Sequence, residues 1–175
     1  MPQLSLCIIC LLLFPIAIYA HGDLHERIVA VSKEIKNRPD SAFLYLKRGE
    51  LYYQHEEPQK AIQDFVQCQS LGFQNARLNL NLAKSYFSLG KNEVALPYVN
   101  RILEHDSIHV NAYRLKGQIL AELDHFDEAA IAYENVIRHA TQTIPENYLE
   151  AASAWEKSGD DSKYCKAMAI IENGI

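Results

Sequence analysis

The feature that most constrains this chain is self-similarity at a fixed period of 34 residues. When Gly49, Ala83 and Gly117 are superposed, their neighbours fall into register without a gap. Tyr45, Asn79 and Tyr113 stand four places before them, and Tyr52, Tyr86 and Leu120 three places after. Further on, Ala61, Ala95 and Ala129 coincide, then Phe65, Val99 and Tyr133, then Cys68, Ile102 and Val136. Both halves of the period carry apolar residues at helical spacing, so each period reads as two amphipathic helices. The first helix offers a small residue where the second must approach, and the second returns an alanine for the same reason. Large residues such as Tyr52 and Phe65 fill the groove on either side. One hairpin cannot bury such a face alone, so stability needs about three stacked units.

The breaks fall where hairpins require them. Gln54 to Pro58 separates the two helices of the first unit, with Pro58 suited to a first helical turn, and Gly90 and Asp124 mark the same turn in the next two. A fourth unit is offset by one residue: Ala152, Trp155 and Gly159 repeat the spacing of Ala83, Tyr86 and Gly90. Its opening, Thr143-Ile144-Pro145-Glu146, has the pattern of a capping box. Its second helix, about residues 161–172, lacks the expected alanine. Upstream, Leu24 to Lys36 reads as a lone helix opened by Asp23 with Glu26 three places on, and Ile28, Val31 and Ile35 give it one apolar stripe.

These residues resemble the tetratricopeptide repeat family, whose pattern has small residues at its eighth and twentieth positions and bulky ones at its fourth, eleventh and twenty-fourth. The resemblance implies an all-α, right-handed superhelical solenoid of helix-turn-helix repeats. It divides the chain into a capping helix at 21–41, repeats at 42–75, 76–109 and 110–144, and a degenerate repeat at 145–175. It also implies that the first helices line a concave groove. That groove would present Phe43, Leu46, Lys47, Glu50 and Tyr53 from the first repeat, then Arg77, Leu80, Asn81, Lys84 and Phe87 from the second. Asn111, Arg114, Leu115 and Gln118 would come from the third. Tyr53 and Phe87 would act as aromatic anchors, and Arg77, Lys84 and Arg114 as a basic lane, so an extended acidic or aromatic peptide is the expected ligand. The carboxylate clamp of chaperone-binding family members is matched only at Asn81. Leu46, Glu50, Asn111 and Leu115 fill its other positions, which argues against capture of that kind of peptide tail.

The first twenty residues carry no charged side chain and centre on the apolar run Leu6 to Ile18. Two readings follow: a secretory signal cut after Ala20, or an uncleaved anchor, which is the one case in which this chain would meet a membrane. Either way the folded part is exported, to a periplasmic or secreted location. The net charge of -5, with no basic run, argues against nucleic acid. Beyond the leader only Cys68 and Cys165 remain, almost three repeats apart. At about 20 Å per stacked pair they are too distant to bridge, and both are expected to be small buried hydrophobes.

No motif of hydrolase, nucleotide or zinc-protease chemistry occurs, so the chain reads as a protein- or peptide-binding scaffold rather than an enzyme, with no cofactor. The alternative is copper chemistry at the mature N-terminus. Cleavage after Ala20 would expose His21, whose amine and imidazole, with His25 and Asp23 nearby, make a nitrogen-rich set suited to Cu(II). Against this stands a frayed terminus leading into a capped helix. At the other end, Ala167, Met168, Ile170 and Ile171 form an apolar surface through which the array could pair with another subunit.

Overall fold

The computed structural model describes residues 23–142, 144–159 and 161–174, and its described residues are helices and turns with no strand. The expected signal or anchor at 1–20, and His21 with it, lies outside them. Among the described residues no helix is long and apolar enough to cross a membrane. The chain forms two compact units, Met1–Gln74 and Asn75–Ile175.

The first unit holds α1 (residues 23–37), α2 (Ala42–Gln54) and α3 (Pro58–Ser70). Ile28, Val31 and Ile35 of α1 pack on Leu44 and Leu51 of α2, so the single stripe on α1 is its contact face. On its other side α2 meets α3 at Gly49. A Cβ there would lie 2.5 Å from Cε1 of Phe65, so only a hydrogen at this point lets the buried ring cross the helix. Polar groups fasten the same three helices. The Arg48 guanidinium donates to both Asp64 oxygens, at 2.7 and 2.6 Å, and to Ser32 Oγ at 3.1 Å. It also stands over the rings of Tyr45 and Tyr52. The hydrogen bond and charge of Asp64 raise the Arg48 pKa further.

The second unit contains α4 (Ala76–Phe87), α5 (Asn92–His105), α6 (Val110–Glu122), α7 (Phe126–His139), α8 (Pro145–Lys157) and α9 (Asp161–Gly174). Ala83, Ala95, Val99 and Ile102 pack with Ala112, Leu115 and Ile119 of α6. The next layer joins Leu120, Ala129, Ala130 and Tyr133 to Ala151, Ala152, Ala154 and Trp155. Gly117 repeats the role of Gly49, since a Cβ on it would lie 2.7 Å from Cε1 of Tyr133. Trp155 Nε1 donates to Glu134 Oε1 at 2.6 Å, and Lys166 of α9 covers the indole ring at 4.5 Å.

Successive hairpins turn in the same way. A left-handed residue occupies each bend, at Glu56, Gly90, Asp124 and Gly159. In the first three, the next N–H returns to the carbonyl five residues back: Glu57 to Tyr52, Lys91 to Tyr86, and His125 to Leu120. These bonds satisfy carbonyls that the helix end leaves open.

Two local expectations change. The capping residue of α8 is Ile144, which has no side chain able to cap, and Pro145 takes the first turn; a capping box therefore does not start this helix. Thr143 lies outside the described residues. Cys165 is exposed on α9, because that helix lacks the small residues that draw a second helix close, whereas Cys68 is buried as expected. Burial raises the Cys68 thiol to about 11, and its Sγ donates to Ala42 O at 3.3 Å.

Candidate binding face of the first helices

In the first unit the exposed arc of α2 is set by what the other arcs bury. Leu44 and Leu51 face α1, Gly49 faces α3, and the buried arc continues around the helix as far as Leu46. Leu46, assigned to the groove from its place in the repeat, is only 2% exposed and cannot line a binding surface. Packing on two sides of α2 consumes more of its circumference than equal spacing in each repeat anticipates. What remains is a stripe of Phe43, Lys47 and Glu50, continued by Gln54, which the sequence reading missed. Phe43 is 61% exposed, and Tyr53 stands at the edge of the stripe. Burial of part of its ring raises the Tyr53 phenol pKa.

In the second unit α4 and α6 are in contact and carry the next two sets. Arg77 and Asn111 are exposed, and Leu80, Asn81, Lys84, Phe87, Arg114 and Gln118 are half-buried. Phe87 packs against the α4–α6 core, so it is partly a structural residue. Leu115 belongs wholly to that core and leaves the groove set. With Leu46 and Leu115 both buried, two clamp positions are closed to any ligand. Arg114 is also engaged: its Nη1 lies 3.9 Å from Glu150 Oε2 on α8, which compensates part of the basic lane.

Beside this contact is a recess of about 330 Å³ that was not anticipated, because α8 is offset by one residue from the other first helices. Ala121, Phe126 and Tyr133 line one side, and Leu149, Glu150, Ser153, Ala154 and Lys157 of α8 line the other. The Glu150 pKa is raised, chiefly by burial and also by Glu146, while Arg114 opposes the shift. The Tyr133 phenol is pushed up to about 12, first by burial and then by the charge of Glu150.

The remaining candidates separate. Asp23 pairs with Arg27 at 3.8 Å, and His25 is exposed beside a recess of about 710 Å³ that also touches Ile28, Tyr52 and Lys60. Among the described residues no three side chains of histidine, cysteine, aspartate or glutamate gather to hold a metal. His109 has a structural task that its spacing from His105 concealed: it caps α6, its Nδ1 accepting from Ala112 N at 3.1 Å.

Residues 80–143 match the sequence pattern of the tetratricopeptide repeat family. The fold is that of several solved structures. MamA shares 22% identity, with 89% of this chain and 91% of that one aligned at a TM-score of 0.78. YrrB, described as a tetratricopeptide repeat protein with an unusual peptide-binding site, shares 19% identity over 90% of this chain and 80% of its own, at 0.74. The first such domain of Spaghetti (RPAP3), bound to the HSP90 peptide SRMEEVD, shares 23% identity over 68% and 94%, at 0.63. No curated protein matches the chain.

Proposed function

Because the chain is a tetratricopeptide-repeat protein, we propose that it is an exported scaffold that binds a peptide or protein segment on the open faces of its first helices. The observation that carries this reading is the stripe on α2. Phe43 and Tyr53 hold aromatic surface in water between Lys47 and Glu50, although neither ring is needed to close the core. Aromatic anchors with polar flanks are the usual energetic centre of a recognition surface. Fold relatives described with a peptide-binding site or a bound peptide support the same use of the fold. The apolar, uncharged segment at 1–20 supports export.

The test uses the chain from His21 onward against a random dodecapeptide library displayed on phage, followed by affinity measurement on the recovered sequences. Phe43→Ala combined with Tyr53→Ala is expected to weaken binding by about tenfold or more with the melting temperature preserved. Recovered peptides whose affinity ignores both changes would place recognition elsewhere. Mass spectrometry of the protein from its producing cell tests export separately: a mature terminus at His21 supports it, and an intact Met1 in a cytoplasmic fraction refutes it.

A further inference from the structure

We propose that the recess between α6, α7 and α8 receives a basic side chain of the bound segment, with its cationic head on Glu150 and the Tyr133 hydroxyl and its stem on Leu149 and Phe126. The proposal rests on the scaffold reading above and specifies the ligand chemistry of one site within it.

The first observation is an unpartnered polar group in the wall. Tyr133 is only 6% exposed, yet it lines the recess, and no described residue hydrogen-bonds its hydroxyl. The ring is held in place because it crosses α6 at Gly117, where no side chain intervenes. A buried hydroxyl without a partner costs about 1–3 kcal/mol, a cost that a ligand group reaching it would relieve.

The second observation is the state of Glu150. Its Oε2 is buried and has no hydrogen bond, since Arg114 at 3.9 Å attracts it without reaching bonding distance. The carboxylate is therefore incompletely satisfied, and the rest of the group faces the recess. A carboxylate only accepts hydrogen bonds, so the group it lacks is a donor.

Charge decides which donor. The groups acting on this site are Arg114 and Glu122 of α6, and Glu146, Glu150 and Lys157 of α8. Carboxylates predominate among them, and Lys157 is turned toward the Phe126 ring, 5.8 Å from its centroid. Along the chain from Ala121 to Ser158 the only cations are Arg138 and Lys157, against a majority of carboxylates. An acidic ligand group would meet Glu150 head on, whereas an ammonium or guanidinium would complete it. The other wall suits the stem of such a side chain: Leu149 is 57% exposed, with Phe126, Ala121 and Ala154 beside it. The acidic peptide expected from the basic lane is thus restricted to the α4 end, and the α6–α8 end takes the opposite charge.

The same phage library supplies the test. Recovered peptides should share one position enriched in lysine or arginine. Replacing that residue by norleucine should weaken binding about tenfold, and replacing it by glutamate should abolish binding. Glu150→Gln should weaken the basic peptide about tenfold but leave the norleucine peptide unchanged, so the two losses are not additive. Tyr133→Phe, which keeps the ring against Gly117, should weaken the basic peptide alone and covers the case in which Glu150→Gln fails to fold. Peptides recovered without basic preference, or an affinity indifferent to both variants, overturn the recess while leaving the scaffold reading intact. A library that yields no binding sequence overturns both.

Discussion

Gly49→Ala tests the packing logic of the hairpins directly, because two opposing terms of known size meet at one atom. Alanine is favoured over glycine inside a helix by about 1 kcal/mol. Against this, the new methyl would lie 2.5, 2.8 and 3.1 Å from three atoms of the Phe65 ring, which is fully buried and has no free space to retreat into. Ordinary carbon contacts begin near 3.5 Å, so the ring or helix must move by about 1 Å, and overpacking of this kind costs roughly 1–3 kcal/mol. Taking about 2 for the clash and 1 for propensity, the variant should lose about 1 kcal/mol in urea unfolding at unchanged m-value. The second unit supplies the control. There the matching pair is Ala83 and Val99, packed in one core with no glycine needed. Phe65→Val should by itself cost about 2–3 kcal/mol through the lost burial. In that background Gly49→Ala no longer meets a ring and should become stabilising by about 1 kcal/mol. The sign reversal, a coupling of about 2 kcal/mol, is the decisive quantity. If Gly49→Ala has the same sign and size in both backgrounds, the close approach at Gly49 does not govern the pairing of α2 with α3.

Other substitutions probe the polar interior and the pH response. Arg48→Ala should destabilise by about 3–5 kcal/mol, since it strands Asp64 in a nearly closed site, whereas Arg48→Leu with Asp64→Leu should recover most of the loss; urea unfolding of the three variants checks this. Asn147→Leu should stabilise by about 1 kcal/mol in the same assay, because the Asn147 Oδ1 is buried without a partner and the matching places in the first two hairpins hold Leu44 and Leu78. On the alkaline side, the Cys68 thiol is raised from 9.0 to about 11 and the Tyr133 phenol from 10.0 to about 12, both chiefly by burial. The folded state binds these protons more tightly than the unfolded chain, so their contribution is complete below about pH 9 and lost as pH rises through 11 and 12. Melting temperature should therefore fall above about pH 9, and Cys68→Ala should remove the earlier part of that fall.

The hairpin logic was legible because it repeats. Gly49, Ala83 and Gly117 recur in phase, and Ala61, Ala95 and Ala129, all fully buried, confirm the contact from the opposite helix. What does not repeat was hidden. Arg48 and Asp64 stand at places that hold Leu82 and Tyr98 one period later. A charged pair where the next unit is apolar was the available signal for a cross-helix ion pair, but opposite charges sixteen residues apart are uninformative until the hairpin is drawn. The groove assignment failed at Leu46 and Leu115 for a related reason. Position in the repeat gives the angle of a side chain on its helix, while the neighbours decide how wide an arc they cover. The α8 wall of the recess escaped because a one-residue offset removed it from the aligned set, and because an unsatisfied hydroxyl is a property of three dimensions.

The differing pairs at the helix crossings also bear on how such a chain avoids confusing its own parts. A polypeptide made of similar hairpins offers each first helix several plausible second helices while it folds. Gly49 with Phe65 and Ala83 with Val99 are not interchangeable. Joining α2 to α5 would set glycine against valine and leave a void, and joining α4 to α3 would drive a methyl into a phenyl ring. Both mistakes join neighbouring hairpins, the pairs that emerge closest together in time. The matching glycine–aromatic pairs, Gly49 with Phe65 and Gly117 with Tyr133, are separated by a whole intervening hairpin. A confusion between them would have to close the longer loop, which the entropy of the chain disfavours.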